Sequence, residues 1–255
     1  MRKKLIVGNW KMNLNTQQAS LLVHKLSDLV PVKRGVEVVL APNALVLQSL
    51  SLQVDHRQFK LAAQNCYWRD EGAFTGEISA TMLRGLTQYV IVGHSERRHV
   101  FHEHDRDLRH KVQAVVRNNM KPILCIGETA RERADGETLH VLHDQIVSGL
   151  LNVTSEEIKE IVIAYEPVWA IGTGDSAGPH DVRDAVKAIR KQVRALYGRT
   201  AAEELRILYG GSAKANNAAS YLEVDGVDGL LVGGASLDAH EFAAIAKTAS
   251  VKDNA

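Results

Sequence analysis

Glu166 is the residue whose sequence setting points most directly to chemistry. It follows the apolar, partly β-branched run 161–164, which is typical of a buried strand, and Pro167 then ends the strand because it lacks a backbone N–H. Residues 168–171 are all apolar, and residues 172–174 read Gly-Thr-Gly, a composition that suits a movable cover. Glu166 is therefore a candidate acid or base in a site closed to water. A surface glutamate before an ordinary loop fits this stretch equally well.

Two other polar side chains follow apolar runs. His94 comes after the run 89–93 and opens a helical turn, where it could donate a hydrogen bond to an oxygen while the helix N-terminus disfavours its protonated form. Lys11 closes the first apolar run, where a fixed ammonium would attract an anionic substrate and stabilise negative charge on oxygen. Taken alone, a structural histidine and a solvated lysine are the simpler alternatives.

Glycine turns late in the chain predict an anion site. Residues 209–212 follow the seventh apolar run, and residues 233–236 follow the eighth and lead into a helix. Glycine lets backbone N–H groups approach a phosphate, and a helix N-terminus adds a favourable dipole. Either turn alone could simply redirect the chain. Together they favour phosphate, because such sites recur after strands seven and eight of parallel barrels.

Short apolar runs alternate with longer amphipathic ones along the chain, which predicts alternating strands and helices. The predicted strands are 5–11, 36–41, 59–64, 89–93, 122–127, 161–166, 205–210 and 229–232. The predicted helices are 16–30, 44–53, 79–84, 105–118, 131–151, 181–196, 215–222 and 239–249. Eight strand–helix units in 255 residues predict an α/β fold, a closed (β/α)₈ barrel of parallel strands, rather than a doubly wound sheet. No linker divides residues 1–255, so a single domain is expected.

The barrel hypothesis places chemistry at the C-terminal ends of the strands. Those ends carry polar residues or glycine: Asn9, Lys11, Gln64, Asn65, His94, Ser95, Glu96, Glu128, Glu166, 210–212, Gly233 and Gly234. Surface polarity scattered at random would not gather at one end of otherwise apolar strands. The pattern therefore predicts one site at the barrel mouth.

The composition narrows the possible partners. A formal net charge of +1 gives no reason to expect nucleic acid or an anionic membrane surface. No apolar stretch approaches the roughly 20 residues of a membrane span, and the run 5–7 is too short for a signal peptide. Cys66 and Cys125 lack the spacing of a disulfide framework or a metal site, so buried reduced thiols in a cytoplasmic protein are predicted.

Three other kinds of site fit the sequence poorly. Residues 172–177 loosely resemble a dinucleotide-binding fingerprint but begin well past their strand, and residues 93–97 lack the second glycine of a hydrolase nucleophile elbow. The histidines at 99, 102, 104 and 110 alternate with charged residues, which is typical of a solvated face rather than a metal site. Neither a metal nor a cofactor is predicted.

Six segments resemble the triosephosphate isomerase family, in order and over the whole chain. They are residues 8–13, 72–77, 93–98, 164–174, 209–212 and 231–237. The resemblance implies that dihydroxyacetone phosphate and glyceraldehyde 3-phosphate are interconverted through an enediolate, as in glycolysis and gluconeogenesis. Because nothing is oxidised overall, no cofactor is expected.

The matching positions imply a role for each polar residue of the site. Glu166 would be the base that moves a proton between the two carbons, and His94 would polarise the carbonyl and move protons between the oxygens. Lys11 and Asn9 would stabilise the developing negative charge, with Glu96 as a supporting carboxylate beside Lys11.

The resemblance also implies how the phosphate and a second subunit are bound. The phosphate would be held through backbone donors by Gly172, Ser212, Gly233 and Gly234, while residues 167–174 close over the intermediate. Residues 72–77 would insert into a neighbouring subunit near Lys11, with Thr75 at the contact, to form a homodimer.

Two other functions stay open at this point. A non-catalytic barrel that senses a sugar phosphate or acts as a scaffold would need only the anion loops, so the presence of base, electrophile and cover argues against it. A barrel isomerase for a larger phosphosugar is the second alternative. The short apolar cover favours a three-carbon substrate.

Overall fold

The computed structural model describes residues 2–32, 35–171 and 177–250, in which eight parallel strands close into a barrel in sequence order. The strands are Lys4–Asn9 (β1), Val36–Ala41 (β2), Phe59–Ala63 (β3), Tyr89–Val92 (β4), Lys121–Ile126 (β5), Val162–Tyr165 (β6), Arg206–Tyr209 (β7) and Gly229–Val232 (β8). The helices are Thr16–Leu29 (α1), Ala44–Ser51 (α2), Ala80–Leu83 (α3), Ser95–His99 (α4), Asp105–Arg117 (α5), Ala130–Ala134 (α6), Thr138–Gly149 (α7), Pro179–Glu204 (α8), Ala218–Leu222 (α9) and Ala239–Thr248 (α10). The predicted (β/α)₈ barrel is confirmed. None of the helices in these described ranges is long and apolar enough to cross a membrane.

Most predicted strands run too far toward the barrel mouth. The first ends at Asn9 rather than at Lys11, and the sixth ends at Tyr165 rather than at Glu166, whereas β2 and β8 have the predicted bounds. Lys11 has φ of 51°, a left-handed conformation that no strand residue adopts. Apart from Asn9, which ends β1, the polar residues at the mouth therefore lie beyond the strands.

Two predicted helices differ from the observed ones because of glycine. The predicted helix 131–151 is two helices, α6 and α7, separated at Gly136, which has φ of 76°. α8 extends beyond its predicted bounds and is interrupted at Gly198, which has φ of 86°. A left-handed glycine ends a helix at little cost, so the apolar period alone could not reveal either break.

Alternate residues of each strand face different cores. One cluster, which includes Leu5 and Val7 of β1 and Val162 and Ala164 of β6, fills the inside of the barrel. Residues between them, such as Ile6, pack in the larger cluster that the strands form with the helices. Side chains alternate along a strand with a period of two, so the inward rows continue to Asn9 in β1 and to Glu166 after β6.

The same inward rows end in glycine on three strands, β5, β7 and β8. Gly127 continues the row of Ile123 and Cys125, Gly210 continues the row of Leu208, and Gly233 continues the row of Leu231. At Gly127 and Gly210 the room that a side chain would take is occupied by Glu166, whereas a Cβ atom on Gly233 would lie no closer than 3.5 Å to any neighbouring residue. The barrel therefore positions polar groups around an open mouth.

Candidate active site

A cavity of about 460 Å³ opens at the C-terminal ends of the strands. Its wall contains seven of the predicted site residues: Asn9, Lys11, His94, Glu96, Ser212, Gly233 and Gly234. Glu166 lies just behind the wall rather than in it, and Gly172 lies outside the described residues. The site predicted from scattered strand ends is therefore one connected space.

Glu166 has one restrained and one unrestrained carboxylate oxygen. Its side chain is almost completely buried, and Oε2 accepts a hydrogen bond from the backbone N–H of Ser95 at 2.8 Å. Oε1 lies 3.2 Å from Nε2 of His94, but the contact lacks hydrogen-bond alignment, and Oε1 has no such partner among the described residues. A buried oxygen with free lone pairs can accept a proton, and such an unsatisfied group is typical of functional sites.

Two glycines allow the backbone and side chain of Glu166 to fit where they do. A Cβ atom on Gly127 would lie 1.7 Å from the carbonyl oxygen of Glu166, and one on Gly210 would lie 2.8 Å from its Cγ. The N–H of Glu166 donates to the carbonyl of Ile126 at 2.7 Å, which extends the strand pairing by one residue. Any side chain at position 127 or 210 would collide with Glu166. The position and orientation of the carboxylate therefore depend on glycine at both positions.

His94 is held so that one particular ring nitrogen acts as donor. It precedes α4, and its Nδ1 accepts a hydrogen bond from the N–H of Glu96 at 3.2 Å. A nitrogen that accepts cannot carry the proton, so the neutral ring carries it on Nε2. Nε2 is the atom that faces Glu166, so the donor and the candidate base lie side by side.

Lys11 is held both at its backbone and at its ammonium group. The side-chain oxygen of Asn9 accepts from the Lys11 N–H at 3.0 Å, and Gln64 Nε2 donates to the Lys11 carbonyl at 2.9 Å. Nζ of Lys11 donates to Glu96 Oε1 at 2.5 Å. The left-handed backbone of Lys11 costs energy that these contacts offset, a pattern found at functional sites.

The part of the cavity between Lys11 and the two glycine turns suits an anion. A Cβ atom on Gly233 would lie 3.5 Å from Cε and 3.9 Å from Nζ of Lys11, while one on Gly234 would meet nothing within 4 Å. Ser212 and the exposed Lys214 complete this part of the wall. Open backbone beside two lysines is an arrangement that binds phosphate.

Three groups near the cavity were given no role by the sequence. The N–H of Ser95 is a backbone donor, and no sequence signal could have revealed its partner. Glu128 is completely buried at the end of β5 and accepts from Trp169 Nε1 at 2.8 Å; its position among the polar strand ends was the available signal. For Lys214, the signal was a cation two residues after the glycine turn 209–212.

A second cavity of about 350 Å³ lies on the other side of Lys11. Its wall includes Met12 and Phe101, which are 95% and 65% exposed, so large apolar side chains face outward here. The loop 72–77 borders this cavity through Gly76 and Glu77, and its Thr75 is exposed. An apolar surface of this kind is typical of a protein–protein contact.

Known proteins resemble this chain over nearly its whole length. A sequence model of one family, triosephosphate isomerase, matches residues 4–249. A protein of Streptococcus suis (strain 05ZYH33) named triosephosphate isomerase is 42% identical over 96% of this chain and 98% of its own length. One of Chloroherpeton thalassium with the same name is 45% identical over 98% of this chain and 100% of its own length. A third, from Caldanaerobacter subterraneus, is 44% identical over 96% of this chain and 99% of its own length.

Proposed function

This chain belongs to the triosephosphate isomerase family and is an isomerase of triose phosphates, and we propose that Glu166 is its catalytic base. The reaction interconverts dihydroxyacetone phosphate and glyceraldehyde 3-phosphate, in glycolysis and in gluconeogenesis. The observation that supports this mechanism best is the unrestrained Oε1 of Glu166, 3.2 Å from the protonated nitrogen of His94.

In the proposed mechanism, protons move but no electrons leave the substrate. Glu166 removes the proton from the carbon beside the carbonyl and later returns it to the neighbouring carbon. His94 donates from Nε2 to the carbonyl oxygen and passes protons between the two oxygens. Lys11 and Asn9 stabilise the negative charge of the enediolate, and Glu96 orients the Lys11 ammonium. No external oxidant or reductant is needed, so no cofactor is expected.

The phosphate would occupy the glycine side of the cavity. Backbone donors at Ser212, Gly233 and Gly234 surround this space, and Gly172 is assigned to the same role from the sequence alone. Each charge-assisted hydrogen bond would contribute about 1.5–3 kcal/mol. Binding at the phosphate then holds the reacting carbons between Lys11 and His94, which reduces the entropy cost of the reaction.

Glu166 would have to move when substrate binds. In this structure Ser95 holds its carboxylate outside the cavity wall. Rotation of the side chain from Ser95 toward the cavity would bring the unrestrained oxygen to the substrate carbon. Closure of residues 167–174 over the intermediate, predicted from the sequence, would exclude water at the same step.

A homodimer is part of the proposal. The loop 72–77 of one subunit would enter the second cavity of its neighbour, with Thr75 near Lys11. The exposed Met12 and Phe101 around that cavity support this contact because a partner would bury them. We expect a single-domain cytoplasmic enzyme that binds neither nucleic acid nor membrane.

A coupled assay tests the function directly. Purified protein is given glyceraldehyde 3-phosphate, and the dihydroxyacetone phosphate formed is reduced by an excess of an NADH-dependent dehydrogenase. Steady loss of NADH absorbance is expected, and Glu166→Gln should abolish most of it because an amide is not a base. A folded protein that converts neither triose, or that retains parental activity as Glu166→Gln, would contradict the mechanism.

A further inference from the structure

Arg133 contacts an indole ring and two carboxylates beside the active site. Its guanidinium carbon lies 4.1 Å from the ring centroid of Trp169, which is a cation–π contact. Nη2 donates to Asp181 Oδ1 at 2.7 Å, and Nη1 lies 3.7 Å from Glu128 Oε1. Arg133 belongs to α6, and all three residues that it contacts lie outside this helix.

The contacted residues come from three different segments. Trp169 follows the base by three residues, in the short 3₁₀ turn Val168–Ala170. Glu128 lies two residues beyond β5 and accepts from the Trp169 indole at 2.8 Å. Asp181 lies in the first turn of α8, where its Oδ2 accepts from the N–H of Gly178 at 2.9 Å. Arg133 therefore joins the segment after Glu166 to the end of β5 and to the start of α8.

The segment that Arg133 holds forms the apolar wall of the active site. Val168 and Ile171, on either side of Trp169, line the cavity. The N–H of Val168 also donates to the carbonyl of Glu128 at 3.1 Å. If Trp169 shifted, this apolar wall would shift with it, and water would gain access to the reacting atoms.

The contacts of Arg133 differ from those of Arg131, the other arginine of α6. Arg131, on the same short helix, is 91% exposed, and its Nε lies 3.7 Å from Asp135, with no shorter ion pair among the described residues. Pairs of that kind contribute little to stability. Arg133 differs because a planar cation, an indole and two carboxylates meet at one point, which fixes the indole in orientation as well as in position.

We propose that Arg133 is a positioning residue of the isomerisation, which acts through Trp169 to keep the apolar wall against the enediolate. This inference rests on the proposed function. It assigns to Arg133 no contact with substrate and no part in proton transfer. Its effect is to retain the intermediate until the proton has been returned.

The side reaction of the enediolate provides the measurement. An enediolate phosphate that is not reprotonated in place can break its carbon–oxygen bond to phosphate. The electron pair of that bond leaves with inorganic phosphate, and the remaining three-carbon enol takes up a proton to become methylglyoxal. Atoms balance without an added reactant, since one triose phosphate gives one methylglyoxal and one phosphate. Water access and escape of the intermediate both favour this path.

The experiment compares Arg133→Met with Arg131→Met as a matched control on the same helix. Isomerisation is followed in the coupled assay, and methylglyoxal and inorganic phosphate are measured in the same samples. Arg133→Met should raise the ratio of methylglyoxal to isomerised product by about fivefold, the factor that a partly exposed cation–π contact represents. Arg131→Met should leave the ratio unchanged.

The ratio separates positioning from a general loss of folded enzyme. Unfolding lowers both products together, so an unchanged ratio in Arg133→Met would overturn the inference even if total activity fell. Should Arg133→Met not fold, Arg133→Lys is measured instead: it keeps a cation near Asp181 but loses the flat contact with Trp169, so its ratio should still rise. An Arg133→Lys ratio equal to that of the parent overturns the proposal. A parent that does not isomerise would contradict the proposed function rather than this inference.

Discussion

A methyl group on Gly210 would lie 2.8 Å from Cγ of Glu166, closer than two carbon atoms approach without a shift. Gly210 ends the inward row of β7, and its N–H donates to the Tyr165 carbonyl at 2.7 Å, so its backbone cannot move away freely. The glycine therefore sets how the base can be oriented. A side chain there would displace the base and leave the rest of the site in place.

Gly210→Ala should consequently behave as a defect in the position of Glu166. A displacement of about 1 Å is expected to lower kcat on the order of 10²-fold, with a smaller change in KM because the phosphate side is untouched. Steady-state kinetics with both trioses measure this, and circular dichroism checks that the barrel is folded. A variant with parental kcat would show that position 210 does not constrain the base.

Glu166→Asp tests the same geometry from the side of the base itself. Shortening the side chain by one methylene withdraws the carboxylate without changing its chemistry, and the cost is again on the order of 10²-fold in turnover. The thermal unfolding midpoint should stay close to that of the parent. Turnover within a few-fold of the parent would remove Glu166 from the role of base.

Gly233→Leu tests where the phosphate binds. A Cβ atom there already lies 3.5 Å from Lys11 Cε, so a larger side chain would fill the space assigned to the anion. Inhibition by inorganic phosphate should weaken by about tenfold or more, which corresponds to the loss of about 1.5 kcal/mol of charge-assisted hydrogen bonding. If phosphate inhibits the variant as well as the parent, the anion site lies elsewhere.

The barrel could be predicted from the sequence because its signal is periodic. Gly229–Val232 is buried on both faces, as are the last four residues of Val36–Ala41, so these strands stand out in the sequence as short apolar runs. Breaks at Gly136 and Gly198 could not be predicted in the same way. Each depends on one residue adopting positive φ, and glycine permits this conformation without requiring it.

The candidate site could be predicted only as a set of residues at one end of the barrel. Strand order places Lys11, His94 and Glu166 at the same mouth, but the sequence does not say which atoms meet. The N–H of Ser95 that holds Glu166 has no side-chain signature. Arg133 was not predicted either, because its partners lie far from it in sequence and meet only through the fold.

The buried thiol of Cys66 should make the folded protein less stable as the pH rises into the alkaline range. Burial raises its pKa from 9.0 to about 12 in the folded protein, whereas the unfolded thiol ionises near its ordinary value. A raised pKa contributes stability in full below the unfolded value, and that contribution is lost as pH rises from 9 toward 12.

Cys66→Ala should therefore flatten the alkaline part of the stability curve. Between about pH 8 and about pH 10.5, the urea midpoint should fall further in the parent than in the variant, because only the parent releases this proton on unfolding. Other titrating groups are common to both proteins and cancel in the comparison. Parallel curves over this range would mean that Cys66 is not shielded as the structure indicates.

Thr75→Arg tests the proposed contact between two subunits. In the homodimer, Thr75 would approach Lys11 of the neighbour, so an arginine would place two cations together and add bulk to the cavity of about 350 Å³. Sedimentation velocity should show the parent as a dimer and the variant as a monomer at micromolar concentration. Activity should fall with dissociation, because the neighbour's loop would no longer cover the Lys11 side of the site.

Thr200→Arg, at an exposed position on α8, is the matched control and should leave both assembly and activity unchanged. A parent that sediments as a fully active monomer would contradict the dimer, since a loop that never reaches a second subunit cannot support its site.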